Sequence, residues 1–302
     1  MNEWIVEIAG TPQGEQLALI LAVISAFAHA IFAALNKGGH DPYLSRGVIN
    51  VAYSMMAAPF VLFVLPWPET NLFPLLFASY LAHLGYEWFQ SAAFTRGAFT
   101  LVYPIARGTG PLLTALLAIF VFAEYLEPGQ WAGILLLSGA IASLAIINLR
   151  QVDLTPTIRE NLLPSILFAL GAGIGVASYT TLDAYGIRET ANPLTFLAWF
   201  FFLGGYGFPL VAFARWRKME DKPKIKPLIA RGIIGALIAY CSFGMLMLAT
   251  RIGKVSEAAA LRETSIIFAT LIGVIFFKES LTKMKLAVIC LIALGAIMVE
   301  FG

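Results

Sequence analysis

Long runs of apolar residues follow one another along almost the whole chain, separated by short polar, glycine-containing or proline-containing segments. A helix needs about 20 apolar residues to cross the hydrocarbon core of a bilayer, and ten of the runs have roughly that length. Backbone groups in lipid must satisfy their own hydrogen bonds, so we expect these runs to be helices. The predicted spans are residues 17–36, 47–66, 72–94, 98–123, 129–149, 163–182, 193–214, 228–249, 254–277 and 283–301.

The composition agrees with a membrane location for these helices. Hydrophobic residues make up 59% of the 302 residues and charged residues only 13%, with a mean hydropathy of +0.81. A soluble domain carries roughly twice that charged share. We therefore expect an all-α integral membrane protein, in which residues 214–227 form the one strongly polar connection. The net charge of +2 gives no reason to expect nucleic-acid binding.

Lysine and arginine are concentrated in every second connection between the predicted spans. The connections after spans one, three, five, seven and nine carry most of them, whereas the opposite side carries only Arg188, Arg251 and Lys254. Because basic loops tend to stay in the cytoplasm, this asymmetry predicts that both chain ends lie outside it. We expect a multi-pass protein of the cytoplasmic (inner) membrane.

The two halves of the chain share an internal repeat. A shift of 155 residues aligns residues 95–126 with residues 250–281 without a gap, and eight of the 32 positions are identical. Five of these identities are charged residues or threonines, which chance matches between apolar helices would rarely supply. We therefore expect two five-helix repeats, residues 1–150 and 151–302, and an odd number of spans makes the second repeat inverted. Inverted repeats are typical of secondary transporters, whose substrate site lies near the bilayer midplane.

Both repeated segments end in Phe-x-Glu-x-Leu, as FAEYL at 122–126 and FKESL at 277–281. Together with the ten spans, this ending resembles the EamA-type carriers of the drug/metabolite transporter superfamily. The resemblance implies a substrate carrier whose central cavity is lined by spans one, three, four, six, eight and nine. It leaves the substrate open, since members carry amino acids, sugars, nucleotide sugars, phosphorylated metabolites and cations. The segments YPIARGTGP and ALRETS are similar to members linked with organophosphonate use.

Arg107 and Arg262 occupy equivalent positions of the repeat, in the fourth and ninth predicted spans. Each lies roughly 13–15 Å inside its span, where an arginine costs about 2.5–3.5 kcal/mol to insert. This cost predicts either a structural ion pair or a wet cavity, and we favour a cavity for a carboxylate or phosphonate group. Glu263 follows Arg262 directly, and consecutive helical residues point about 100° apart. One of these two side chains must therefore face another helix or the cavity.

Other polar residues are candidates for the same site. Glu87 shares a polar stripe of the third span with His83, and the short connection to the fourth span predicts that Glu87 neutralises Arg107. Glu87 or Glu263 would bind an amino group of the substrate or carry a coupling proton. His29 in the first span is a further candidate for the substrate site.

Aromatic side chains in the predicted spans are candidates to enclose a substrate ammonium group. They are Tyr86, Trp88, Tyr103, Tyr179 and Tyr240. Pro104 and Pro111 flank Arg107, and each removes one backbone hydrogen bond, which predicts either an unwound segment or a packing kink. Glu124 and Glu279, at the ends of the repeated segments, are expected to cap a helix or form an ion pair.

The combined pattern favours a secondary transporter that moves an amino acid, carboxylate or organophosphonate-like zwitterion by alternating access. Within transport, an organic cation carrier with an aromatic cage is the alternative. Outside transport, the alternatives are an integral-membrane enzyme and an accessory or sensing subunit. Three histidines and the lack of an H-E-x-x-H motif weigh against an enzyme. We expect a small-molecule substrate, the lipid bilayer and a candidate coupling proton as partners, no cofactor or metal, and a functional monomer.

Overall fold

A computed structural model of the chain describes residues 2–36, 41–97, 99–150, 156–277 and 282–302. These residues form helices with short connections, and none of them forms a β-strand. The helices, numbered in chain order, are α1 (Asn2–Glu7), α2 (Pro12–Asn36), α3 (Pro42–Pro59), α4 (Leu72–Arg96), α5 (Phe99–Phe122), α6 (Pro128–Arg150), α7 (Pro156–Glu189), α8 (Pro193–Gly204), α9 (Phe208–Arg217), α10 (Ile225–Ala239), α11 (Met245–Ile252), α12 (Val255–Arg262), α13 (Ser265–Phe277) and α14 (Lys283–Phe301). Two π-helical segments continue α3 and join α10 to α11, at Phe60–Val64 and Tyr240–Gly244.

Eight helical segments in the described part of the chain are long and apolar enough to cross a membrane. They are Pro12–Phe32, Pro42–Val64, Leu101–Phe122, Pro128–Ile147, Glu160–Glu189, Pro193–Arg217, Ile225–Ile252 and Lys283–Phe301. The expectation of an all-helical membrane protein is therefore confirmed.

Two of the ten predicted spans are not among these eight segments. The first is filled by α4, which carries His83 and Glu87 on one face. The second, predicted at 254–277, is divided into α12 and α13 by a turn at Glu263 and Thr264. Each of the two short helices is too short to cross a bilayer by itself.

Helices α3 and α7 are among those that extend beyond the ranges predicted from hydropathy. Helix α3 begins at Pro42 because Asp41 caps it, with its Oδ1 accepting a hydrogen bond from the backbone N of Tyr43 at 2.9 Å. Helix α7 continues to Glu189, seven residues past the predicted end of the sixth span. Both extensions place ionisable residues inside the bundle, although a hydropathy plot assigns these residues to loops.

Close packing of α4 against α7 gives the bundle a long helix–helix interface. Gly175 of α7 lies against Tyr86, where an added Cβ would come within 2.9 Å of the tyrosine Cβ. Gly171, one turn earlier, meets the ring of Phe89 in the same way. Small residues four apart let two membrane helices approach closely, as the sequence GAGIG suggests. The polar side chains of α4 and α7 are thereby brought within bonding distance.

Candidate functional site

Ionisable side chains are buried together inside the helix bundle. Among the described residues, the buried ionised groups and imidazoles, here called the polar cluster, are Arg46, Arg107, Arg262, Glu87, Asp183, Glu263, His29 and His83. The cluster therefore contains three guanidinium groups and three carboxylates. Buried charges are tolerated when they are paired and hydrogen-bonded, so the pairing within this cluster decides what it can do.

The break between α12 and α13 directs two neighbouring side chains to different partners. Arg262 is the last residue of α12, and Glu263 begins the turn that leads to Ser265, the first residue of α13. Arg262 faces His29 and Tyr179, whereas Glu263 faces Arg107. The prediction that Arg262 and Glu263 look toward different partners is confirmed.

Arg107 is neutralised by Glu263 from the second half of the chain. Its Nε lies 3.0 Å from Glu263 Oε2, and its Nη2 donates to Ser265 Oγ at 3.4 Å. Both partners of the ion pair are 2% exposed. The prediction that Glu87 neutralises Arg107 is wrong, because α4 packs along α7 and only touches α5. That α4 and α5 are consecutive in the chain therefore does not determine which of their faces pack together.

Glu87 is held by residues of α3 that sequence reasoning missed. Arg46 Nε lies 2.9 Å from Glu87 Oε1, and Asn50 Nδ2 donates to Glu87 Oε2 at 2.8 Å. Asn50 also donates to the backbone carbonyl of Gly204 at 3.3 Å, where α8 ends. One charged and one neutral donor therefore hold the two oxygens of the Glu87 carboxylate in place.

His83 pairs with Asp183, a second residue that sequence reasoning missed. His83 Nε2 lies 2.8 Å from Asp183 Oδ2, and Ser79 donates a short hydrogen bond to Asp183 Oδ1. The imidazole stacks on the ring of Tyr179, with the ring centroids 4.1 Å apart. No arginine or lysine among the described residues forms an ion pair with Asp183.

Arg262 differs from the other two buried arginines because it has no carboxylate partner among the described residues. Its Nη1 donates to Tyr179 Oη at 3.4 Å, its Nη2 lies 3.3 Å from His29 Nδ1, and its Nη2 donates to Ser242 Oγ at 3.5 Å. These contacts are long, and Nε has no acceptor in the described structure. The guanidinium lies 4.7 Å from the centroid of the Phe243 ring. Arg262 thus carries a buried positive charge with no carboxylate in ion-pair contact among the described residues.

The π-helical segment Tyr240–Gly244 helps to position these groups. Ser242 lies in it and accepts a hydrogen bond from Arg262, while Ser25 Oγ donates to the Ser242 backbone carbonyl at 2.6 Å. His29 Nδ1 is 3.2 Å from Ser242 Oγ. Such segments are frequent at functional sites because the extra residue re-aims side chains.

The aromatic candidates are distributed unevenly around the polar cluster. Tyr179 and Tyr86 are buried beside it, with ring centroids 5.0 Å apart. The buried Tyr103 ring lies 5.9 Å from the guanidinium of Arg107. Tyr240 is half-buried, and its hydroxyl donates to the Tyr53 carbonyl at 2.7 Å. Trp88 is 44% exposed and packs on Phe89 and Phe168, so the structure does not bring it to the cluster.

Of the two alternatives predicted for the prolines around Arg107, the unwound segment is absent, because α5 is helical through Pro104 and Pro111. A proline deletes one hydrogen bond but leaves the helix intact when the neighbouring helices support the freed backbone groups. The interruption lies instead at Glu263 and Thr264, where no proline occurs. The break is therefore in the second arginine helix and not in the first.

Glu124 caps the short helix that carries Arg262. Its Oε1 accepts from the Val255 backbone N at 2.6 Å, and its Oε2 accepts from the Ser256 backbone N at 3.1 Å and from Ser256 Oγ at 2.5 Å. Arg188 Nη2 lies 3.7 Å from the same carboxylate. The expectation that Glu124 caps or pairs is confirmed, and its repeat counterpart Glu279 lies outside the described residues.

Comparison with solved structures agrees with the fold described above. One solved structure, described only as the crystal structure of a protein, has a TM-score of 0.72 at 18% identity. It covers 96% of this chain, which covers 98% of it, and at that identity the match shows the fold alone. No curated protein sequence matches the chain.

The fold and the buried polar cluster define a multi-pass helical membrane protein with ionisable groups inside its bundle. Residues 163–301 match the EamA-like transporter family. The resemblance noted in the sequence is thereby confirmed, with the match lying in the second half of the chain.

Proposed function

We propose that this chain is a secondary transporter that carries a small polar metabolite with an anionic group across the cytoplasmic (inner) membrane by alternating access. The match of residues 163–301 to a transporter family supports transport over an enzymatic or sensing role. The proposal of an anionic substrate group rests on Arg262, a buried guanidinium without a carboxylate partner in the described structure. A buried charge of this kind costs several kcal/mol, and an anionic substrate supplies the missing counterion.

The proposed architecture is ten crossing segments in two inverted five-helix halves, residues 1–150 and 151–302. Helices occupy all ten predicted ranges in the described structure, although only eight meet the length and apolarity of a full span. In the proposal, α4 is the third crossing segment, and α12 and α13 together form the ninth. A helix broken beside the substrate is typical of secondary transporters, in which unwound backbone and helix ends contact the ligand.

The proposed substrates are amino acids, carboxylates and organophosphonate-like zwitterions. Arg262 Nε and Arg107 Nη1 are buried N–H groups without an acceptor in the described structure. Guanidinium groups bind carboxylates and phosphonates through paired hydrogen bonds, which adds geometric specificity. The two donors come from equivalent helices of the repeat, so one small anion between them would contact both halves.

An organic cation is the less suitable substrate because the protein's own arginines already cover the nearby aromatic faces. Arg262 lies over the ring of Phe243 at 4.7 Å. Arg46 lies 5.6 Å from the centroid of Phe32 and 5.8 Å from that of Tyr86. A cationic ligand would have to approach these guanidinium groups, and like charges repel in a site of low polarity.

Counterflow of labelled amino acids, carboxylates and phosphonates in proteoliposomes tests the proposal. We expect exchange by the wild type and a loss of about 10–100-fold for Arg262→Gln, since a charged hydrogen bond contributes about 1.5–3 kcal/mol. Arg96→Gln is the matched control, because Arg96 is exposed at the end of α4. Exchange by Arg262→Gln at the wild-type rate would contradict a role for Arg262 in anion binding. Exchange of organic cations alone would favour the cation carrier.

A further inference from the structure

The buried pair of His83 and Asp183 is the part of the polar cluster that the anion-binding proposal does not use. Its atoms His83 Nε2 and Asp183 Oδ2 are 2.8 Å apart, and the two side chains are 9% and 5% exposed. Ser79 is the second hydrogen-bond partner of the Asp183 carboxylate. An imidazole and a carboxylate in direct contact can hold one additional proton between them, and imidazole is the side chain that titrates near neutral pH.

The other acidic and imidazole groups of the cluster are less suitable for binding a proton. Glu87 is held by Arg46 at 2.9 Å and Glu263 by Arg107 at 3.0 Å, so protonating either carboxylate would leave a buried guanidinium without its counterion. A proton on His29 would lie beside Arg262, whose Nη2 is 3.3 Å away. The pair of His83 and Asp183 can gain or lose a proton without breaking an arginine ion pair.

The buried charges of the described residues balance when this pair carries no extra proton. The three guanidinium groups are then equal in number to the three carboxylates, and both imidazoles are neutral. One proton on the pair leaves the cluster with a single net positive charge. A monoanion bound at Arg262 restores neutrality, so proton and anion are expected to stabilise each other's binding.

Tyr179 connects the two sites. Its ring stacks on His83 with centroids 4.1 Å apart, and its hydroxyl accepts a hydrogen bond from Arg262 Nη1 at 3.4 Å. A change of charge at His83 therefore occurs one aromatic ring away from the guanidinium that would hold the anion. The path from the proton to the proposed substrate group consists of directly contacting side chains.

A narrow slot between α3, α4, α8 and the start of α9 reaches the His83 member of the pair. Its lining includes Tyr53, Tyr80, His83 and Glu87, together with Gly204 at the end of α8. Several titratable or charged groups surround the pair: Tyr80 and Glu87 from α4, Arg46 and Tyr53 from α3, Tyr179 from α7, Arg262 from α12 and Arg107 from α5. The nearest ring from α8 is Phe200, which is not titratable and lies 4.7 Å from His83.

From this geometry we infer that His83 and Asp183 form the proton-binding site of the protein, and that its proton is taken up together with a monoanion held at Arg262. The inference rests on the proposed function for its anion, but the proton site itself can be tested without any substrate. One proton accompanies one monoanion, which makes transport of a monoanion electrically neutral.

Histidine NMR of the full chain in nanodiscs tests the proton site directly. The protein has three histidines, and His29→Gln and His83→Gln assign the ¹⁵N signals of the two buried ones. We expect His83 to change protonation between about pH 5 and 8 in the wild type, and not in Asp183→Asn. Ser79→Ala is the matched control, because it removes a hydrogen bond to Asp183 but keeps both titratable groups. A His83 signal that stays in one state across this range, or that ignores Asp183→Asn, would overturn the inference.

Methanesulfonate tests the coupling, because it is a monoanion at every pH used and resembles a phosphonate in shape. We expect its affinity for the wild type, measured by thermal shift, to fall about tenfold from pH 6 to pH 8, which is one pK unit of linkage. The double variant His83→Gln/Asp183→Asn should lose this dependence. Binding that is independent of pH in the wild type would refute the coupling. If methanesulfonate does not bind at all, the anion site at Arg262 and the coupling both fail, while the NMR result still decides the proton site.

Discussion

Arg107 and Arg262 occupy equivalent positions of the repeat, yet we predict effects of very different size on stability when each is replaced by glutamine. Arg107→Gln leaves Glu263 as a buried carboxylate without its counterion, 2% exposed and formerly 3.0 Å from the guanidinium. Removing one partner of a buried ion pair costs about 3–5 kcal/mol. The free energy of unfolding should fall by that amount, and the double variant Arg107→Gln/Glu263→Gln should recover much of it.

Arg262→Gln should change the stability by only about 1 kcal/mol, because favourable and unfavourable contributions of this side chain nearly cancel. Its hydrogen-bonding contacts are 3.3–3.5 Å long, and each is worth about 0.5–1.5 kcal/mol at most. The contact with Phe243 adds about 2 kcal/mol. Burying a guanidinium that lacks a counterion costs several kcal/mol in the opposite direction.

Thermal unfolding of the purified variants, in one detergent and without added anions, measures this difference. Arg96→Gln serves as the control for a charge change at the exposed end of α4. We expect Arg107→Gln to unfold well below the wild type and Arg262→Gln close to it. Equal, large destabilisation by both substitutions would refute the reasoning, because Arg262 would then be a structural ion-pair residue like Arg107.

Three further substitutions test other parts of the structure. Glu87→Gln leaves Arg46 without its counterion, so thermal unfolding should show a free energy of unfolding lower by about 3–5 kcal/mol. The pH profile of uptake should keep its shape. A flattened profile would instead identify Glu87 as the proton-binding residue. Glu124→Ala removes the cap of α12 and should cost about 1–2 kcal/mol, more than Ser256→Ala, and equal effects would contradict the capping role. Gly175→Val should separate α4 from α7 and cost about 1–3 kcal/mol, and an unchanged unfolding temperature would contradict the close packing.

Helix positions and the buried arginines of the repeat were predictable from the sequence, because both follow from long-range patterns of hydropathy and identity. Charged residues at helix ends were not. Arg46 lies one residue before the predicted second span and Asp183 one residue after the sixth, so both were assigned to connections. In the structure α3 and α7 continue past these points, and both residues are buried. A hydropathy window ends at a charge whether or not the helix does.

The pairing of the buried charges could not be predicted from the sequence either. Glu87 and Arg107 lie on consecutive helices, which favours contact, but helix rotation turns Glu87 toward α3 and leaves Arg107 to Glu263. A signal for Arg46 was available, since Arg46 and Asn50 are four residues apart and share one helical face. No comparable signal marks Asp183, whose partner His83 lies 100 positions away in the chain.

The central claim is that Arg262 holds the anionic group of a transported substrate. A thermal-shift screen of charged metabolites against the wild type and Arg262→Gln tests it most directly, because a ligand present at 100 times its Kd stabilises the folded state by about 2.7 kcal/mol. The account predicts that anionic or zwitterionic metabolites stabilise the wild type and leave Arg262→Gln unchanged. Equal stabilisation of both proteins, or stabilisation by cations alone, would contradict it.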